Sequence, residues 1–167
     1  MPTMTAVVMY APGDVRLETV EKPVPDRGEA LLKVAACGVC GSDLDRMFTK
    51  GPHKLPLICG HEFSAIVEEV DDDVTNVAPG DHVTVPPMLP CFRCGPCVQG
   101  HYSLCEDYDY YGSRRHGAYA EYVVGPANLL LKVPADLDLR AAAQERGRVG
   151  LRVAADEHHP AAVLRKR

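Results

Sequence analysis

Apolar positions along the chain fall in short runs broken by Gly, Pro, Asn and Asp, which is the pattern of strands and turns. Thr5 to Met9 and Val15 to Val20 flank Ala11-Pro12-Gly13-Asp14, and this predicts a hairpin. Glu29 to Cys37 is the next apolar run. Pro23, Pro25 and Gly28 ahead of it stop a helix from forming, so it predicts a buried strand. After Gly38 the period changes. Leu44, Met47 and Phe48 recur at helical spacing behind Ser42 or Asp43 as a cap, and Gly51-Pro52 ends this brief helix. Phe63 to Val70, His82 to Val85, Tyr119 to Val124 and Leu129 to Val133 add further strand-like runs, at spacings that suit a barrel. Between them, Pro86 to Asp109 is rich in cysteine and poor in apolar residues of its own. The fold class expected is mainly β, a barrel with short helices and a cysteine lobe.

Composition narrows this picture. The 167 residues suit one domain with a sizeable core, and 14 Gly, 14 Pro and no Trp agree with many turns. No apolar run approaches the length of a membrane span. The formal charge of -5 is uneven: residues 1–139 carry a net -9 and residues 140–167 a net +4. An acidic body and a basic tail without aromatic residues give no surface for nucleic acid or anionic lipid, so neither is expected as a partner. Seven cysteines, an odd number, without a secretory leader argue against a disulfide framework and for reduced thiols in the cytoplasm.

The cysteines carry the strongest chemical signal. Cys91-x2-Cys94-x2-Cys97-x7-Cys105 places four thiolates at a spacing that suits tetrahedral zinc. Four sulfur ligands leave no position for a substrate, so this zinc is expected to be structural and to hold a lobe that lacks its own core. Two disulfides, four free thiols or an iron cluster are the alternatives. A second constellation joins Cys40-Gly41-Ser42-Asp43 to Gly60-His61-Glu62. Cys40 and His61 are two ligands of the kind found in an open zinc site, which needs a third from a carboxylate or thiol. Ser42 stands where it could pass on the proton of an alcohol held there.

The order Cys37-Gly38-Val39-Cys40-Gly41-Ser42-Asp43, Pro56-Leu57-Ile58-Cys59-Gly60-His61-Glu62-Phe63, Gly80-Asp81-His82-Val83 and the four-cysteine lobe resembles the zinc-dependent medium-chain alcohol dehydrogenases across residues 5–138. The resemblance implies a GroES-like β-barrel catalytic domain over residues 1–139, with the zinc lobe at residues 86–109. It implies catalytic zinc on Cys40 and His61, with Glu62 as a ligand or neighbour, Ser42 on the alcohol, and structural zinc on Cys91, Cys94, Cys97 and Cys105. Up to two zinc ions per chain follow, with NAD or NADP as the family's hydride acceptor and a small alcohol or polyol as substrate. Tyr111 to Tyr122, including Gly112-Ser113-Arg114-Arg115-His116-Gly117, is most similar to the polyol, polyol-phosphate and threonine dehydrogenase branch. Arg114-Arg115 could receive a phosphate or cofactor group, or lie solvated on the surface. Asp45 replaces a histidine common in the family, and Cys37 and Cys59 read as small buried residues beside the ligands.

The resemblance ends near residue 139. Residues 140–167 form an unmatched basic tail, in which Glu145 is the positional candidate for the third catalytic zinc ligand, although Arg146 stands where the family has proline. No Gly-x-Gly-x-x-Gly fingerprint of a Rossmann domain follows the barrel. A truncated, half-length dehydrogenase with negligible turnover alone is therefore expected. The alternatives are a non-catalytic zinc-stabilised module, a homo-oligomer among them, and a half-enzyme completed by a separate nucleotide-binding chain.

Overall fold

The computed structural model describes residues 1–144. The chain opens with β1 (Thr3–Ala11) and β2 (Asp14–Glu21), an antiparallel hairpin whose two turn residues are Pro12 and Gly13. Next come β3 (Glu29–Gly38), helix α1 (Gly41–Asp45) continued by a π-helical turn over Arg46–Lys50, and the short β4 (Leu57–Ile58). They are followed by β5 (Glu62–Val70), β6 (His82–Thr84), β7 (Met88–Leu89) and helix α2 (Gly95–Val98). The described chain closes with β8 (Asp109–Tyr110), β9 (Tyr122–Pro126), β10 (Leu131–Lys132) and helix α3 (Leu139–Gln144).

The main sheet has five antiparallel strands in the order β10-β6-β5-β3-β9, and a second sheet has the order β2-β1-β4. An antiparallel bridge between Ala6 and Ala120 ties the two together. Inside lies a core in which Leu32, Phe63, Ala65, Val67, Val83, Val85, Tyr111 and Val123 are buried. Phe63 and Tyr111 meet edge to face with ring centroids 5.3 Å apart. This is the mainly β barrel that the strand spacing predicts. No helix among the described residues is long and apolar enough to cross a membrane.

The first helix differs from its sequence reading. Its N-cap is Cys40 rather than Ser42 or Asp43, and Asp43 occupies the third helical position, accepting the Cys40 N–H at 3.1 Å. Leu44 and Phe48 are exposed, and of the three periodic apolar residues only Met47 packs inward, against Met9, Leu57 and Cys59. The buried residue of the helix is the aspartate. At the other end of the described chain, α3 packs on β3, β5 and β6, and Ala142 and Ala143 are buried. Ser64 Oγ donates to the Leu139 carbonyl at 2.6 Å. The packed body thus continues past residue 139, where the charge balance turns.

Candidate metal centres

Strand register brings the first set of donors together. In the antiparallel β3/β5 pair, Gly38 faces Glu62 and Cys37 faces Phe63. The chain leaves β3 two residues before Cys40, and His61 immediately precedes β5, so neighbouring strand ends present both side chains at one edge. Close backbone packing fixes the second segment. Gly117 N–H donates to the Ile58 carbonyl at 2.7 Å, Ala118 N–H to Gly60 at 3.0 Å, and Tyr119 N–H to Cys59 at 3.0 Å. Only glycine fits at 117, because a Cβ there would lie 2.0 Å from the Gly60 carbonyl oxygen.

Ligand atoms of Cys40, His61 and Glu62 all lie within 4.8 Å of one another. The absence of a side chain at Gly38 makes room for the carboxylate, since a Cβ there would come 3.2 Å from Glu62 Oε2. Behind this trio stands Asp43, fully buried. Its Oδ1 accepts from His61 Nδ1 and from Arg46 Nη1, and its Oδ2 accepts from the Cys40 N–H and the Tyr119 hydroxyl, all at 3.1 Å. Burial alone would raise this carboxyl, but the bonds from His61, Cys40 and Tyr119 hold it below the usual carboxylate range. An ionised Asp43 only accepts, so His61 carries its proton on Nδ1 and turns Nε2 toward the other donors. The Ser42 hydroxyl donates to Cys40 Sγ at 3.3 Å and pulls that thiol below its ordinary value.

Thiolate, imidazole and carboxylate are donors that zinc accepts, and zinc would need only a small inward movement to gather them. The residues therefore fit the ion. Glu145 lies outside the described residues; among those described, Glu62 is the carboxylate that joins the pair. Cys37 and Cys59 do not belong to the group. Cys59 is buried beside Met9, and burial pushes its thiol up to about 11, as suits an inert packed cysteine.

The second set comprises Cys91, Cys94, Cys97 and Cys105, whose sulfurs also lie within 4.8 Å of one another. Cys94 caps α2 and Cys97 sits in its only turn, while Phe92, at φ 56°, bends the chain between Cys91 and Cys94. Cys94 and Cys105 sulfurs are 3.9 Å apart, far beyond a disulfide and close to the roughly 3.8 Å edge of a tetrahedral zinc–sulfur site. None of the seven cysteines forms a disulfide. The Arg93 N–H draws Cys91 down to about 6, whereas burial and the neighbouring sulfurs push Cys97 up to about 12. Four sulfurs at this separation would all ionise only with a cation between them. The lobe adds little packing: Val98 and Leu104 are exposed, and the Phe92 and Tyr102 rings contact at 5.3 Å.

Two residues near the first site were not singled out by sequence, namely Tyr119, which bonds Asp43, and Tyr110, whose ring lies 5.5 Å from that of His61. Asp43 was read only as a cap, although its position three residues after Cys40 is the spacing that lets a helix-start carboxylate reach back. The two arginines part. Arg115 bonds Glu29 at 3.0 Å and the Val124 carbonyl at 3.3 Å, which makes it a half-buried structural cation, while Arg114 lies 4.4 Å over the Tyr108 ring.

Residues 26–135 match the family model of the alcohol dehydrogenase GroES-like domain. The chain is 42% identical over 137 residues to galactitol 1-phosphate 5-dehydrogenase of Escherichia coli K12, covering 81% of this chain and 40% of that protein. It is 39% identical over 156 residues to erythritol/L-threitol dehydrogenase of Mycolicibacterium smegmatis, covering 84% of this chain and 43% of the relative. Its fold is similar, with TM-score 0.81 and 35% identity, to a zinc-binding dehydrogenase from Sinorhizobium meliloti 1021 bound to NADP, over 86% of this chain and 42% of that one. The chain thus spans about two fifths of the length of these relatives. A GroES-like barrel, a cysteine lobe and this match over residues 26–135 agree: the chain belongs to the zinc-type alcohol dehydrogenase family, through its GroES-like domain.

Proposed function

We propose that this barrel is the catalytic domain of a zinc-dependent alcohol or polyol dehydrogenase, with the domain running over residues 1–139, as the sequence bounds it, and on through the packed helix α3, and with its zinc lobe over residues 86–109. The observation that carries this reading is the convergence of Cys40, His61 and Glu62 in front of a buried Asp43. Zinc bound there would supply a Lewis acid that polarises the substrate oxygen and eases loss of its proton. Cys40, His61 and Glu62 would hold that ion. Asp43 keeps the His61 ring in one tautomer and one orientation, and Arg46 and Tyr119 keep Asp43 in place. Ser42, whose hydroxyl already lies against Cys40 Sγ, is placed to take the proton of the substrate hydroxyl and release it outward. Cys91, Cys94, Cys97 and Cys105 would bind a second zinc that folds the lobe and touches no substrate.

The 42% identical relative is named for a sugar-alcohol phosphate and the 39% identical one for four-carbon polyols, which supports a polyol as the substrate class. Hydride would pass to NAD or NADP, for which these 167 residues carry no Gly-x-Gly-x-x-Gly fingerprint of their own. Seven cysteines outside any disulfide suit a reducing cytoplasm. The test is a metal count on purified protein: two zinc ions in the parent chain and one in Cys40→Ala. Retention of both ions by Cys40→Ala overturns the assignment.

A further inference from the structure

The hairpin strand β2 is a sheet edge: among the described residues it pairs with β1 alone, and the second sheet runs β2-β1-β4. Neighbouring bonds fix the phase of its ladder. Lys22 N–H donates to the Pro2 carbonyl at 3.0 Å, which extends the register beyond the pair Thr3 and Glu21 by one hydrogen-bonded pair. On the far side of β1, Val7 N–H donates to the Tyr119 carbonyl at 2.8 Å, and the Thr5 carbonyl accepts from Glu121 N–H at 3.1 Å. Bonded and unbonded pairs alternate along an antiparallel ladder. Thr5 and Val7 therefore turn their backbone groups away from β2, and their register partners Thr19 and Leu17 turn theirs away from β1. Val15, which faces Met9, does the same, so three residues of β2 present N–H and C=O groups outward.

Edges of this kind are commonly blunted by Lys, Pro or a bulge. Residues 15–20 hold no Lys or Pro, and the irregularity of the hairpin lies at its turn end, between Met9 and Ala11. Leu17, at the middle of the strand, is 74% exposed. On the opposite face Arg16 lies 4.7 Å over the Tyr10 ring and Glu18 accepts from the Tyr10 hydroxyl at 2.7 Å, so opposite charges flank Leu17 on a common side. That order is self-complementary. About a two-fold axis at Leu17, this residue meets its own copy in a bonded pair, and each Arg16 comes opposite the Glu18 of the other copy in an unbonded pair, where side chains lie closest. An axis at Arg16 or at Glu18 would set that charge against itself, so the charges select one register. Arg16 holds Asp14 through Nε and Nη2 at 2.8 Å, and Glu18 meets Tyr10 through Oε2, which leaves Nη1 and Oε1 for the second copy.

We infer that β2 pairs antiparallel with β2 of a second copy of this chain, centred on Leu17. The pairing joins two three-stranded sheets into one of six and adds about six backbone hydrogen bonds. It lies two strands, about 10 Å, from β4, the strand that leads into His61, and it stands independently of the dehydrogenase reading. One strand pair is smaller than a standard interface, so the association is reversible, with a Kd of about 10–1,000 µM.

The test is sedimentation velocity on the 167-residue chain with zinc and a thiol reductant, from about 5 µM to about 2 mM, joined to amide hydrogen exchange read by NMR. A monomer–dimer equilibrium is expected. In the monomer β1 protects the amides of Arg16 and Glu18 while those of Val15, Leu17 and Thr19 exchange; in the dimer all five are protected. Arg16→Glu and Glu18→Arg should each weaken dimerisation at least about tenfold, because each sets two like-charged pairs face to face. The double variant Arg16→Glu/Glu18→Arg should return to within about threefold of the parent. Leu17→Pro, which removes an N–H that β1 does not use, should abolish the dimer. A chain that stays monomeric throughout, a dimer as tight in Arg16→Glu as in the parent, a double variant no tighter than the single ones, or a dimer in which Val15, Leu17 and Thr19 still exchange would overturn the proposal.

Discussion

Replacing Asp43 by Asn changes one atom and tests how the first metal centre is held. The carboxylate is fully buried and receives four hydrogen bonds, two at each oxygen. An asparagine oxygen directed at His61 and Arg46 leaves its NH2 group facing the Cys40 N–H and the Tyr119 hydroxyl. Tyr119 can rotate its hydroxyl to accept; the amide of Cys40 cannot. One buried amide then has no acceptor, which costs about 1–3 kcal/mol. Arg46, whose side chain is 15% exposed, also loses its counter-charge, and breaking a buried ion pair on one side costs roughly 3–5 kcal/mol where burial is complete. Because Arg46 reaches some solvent, a total of about 3–5 kcal/mol is expected. His61 in addition loses the anion that orients it, which by comparison with other carboxylate–histidine pairs lowers metal affinity about 10- to 100-fold. Urea unfolding gives the first quantity, and zinc competition with a chromophoric chelator gives the second. The four-cysteine site should keep its affinity. A variant that loses less than about 1 kcal/mol and binds two zinc ions as tightly as the parent would refute the role given to Asp43.

Three further outcomes follow from the packing. Gly117→Ala would place a Cβ 2.0 Å from the Gly60 carbonyl, so it should destabilise the chain by at least about 1–3 kcal/mol and release the zinc at Cys40 before that of the lobe, as read by unfolding and metal count. At Gly125 a Cβ would meet the Tyr111 hydroxyl at 1.9 Å but the ring carbon beneath it only at 3.3 Å; Gly125→Ala should therefore be destabilising alone and largely rescued by Tyr111→Phe, with a coupling of about 1–3 kcal/mol in a double-mutant cycle. Burial opposes ionisation of Asp81, but Lys132 at 2.6 Å and the Ala78 N–H hold its pKa below the ordinary 3.8. Its contribution is thus present above the unfolded value and is lost as pH falls through 3.8 and below; Asp81→Asn should remove that part of the acid sensitivity, a surface effect of about 0.2–1 kcal/mol measured by unfolding across pH 2–6.

The barrel strands were legible because their signal is local. Pro12-Gly13 between two β-rich runs, and the prolines before Glu29, act on the backbone wherever the rest of the chain lies. The four-cysteine lobe was legible for the same reason, since its ligands fall within 15 consecutive residues. Helix α1 was read wrongly in its cap and its buried face because apolar periodicity assumes that a helix buries its apolar stripe. Here the buried side chain is Asp43, and what it is buried against arrives from His61 and Tyr119, 18 and 76 residues away. Composition and spacing carry no record of such a partner. Arg114-Arg115 shows the same limit, since two identical neighbours differ in what each lies over, Tyr108 for Arg114 and Tyr111 for Arg115.

The two candidate metal centres rest on different kinds of order, and that difference bears on how the chain can work. The lobe has few buried side chains, so its shape depends on what its sulfurs bind. The Cys40–His61–Glu62 group stands on strand pairing and on an aspartate held by four hydrogen bonds from the protein itself. A site arranged in this way can give up, exchange or rearrange a ligand around its metal without unfolding its surroundings, as an open catalytic centre must. Ser42 is exposed and lies at the outer side of that framework, where a substrate can reach it. Rigidity is therefore placed behind the metal ligands and freedom in front of them, and it is the buried Asp43, rather than the ligands themselves, that divides the two.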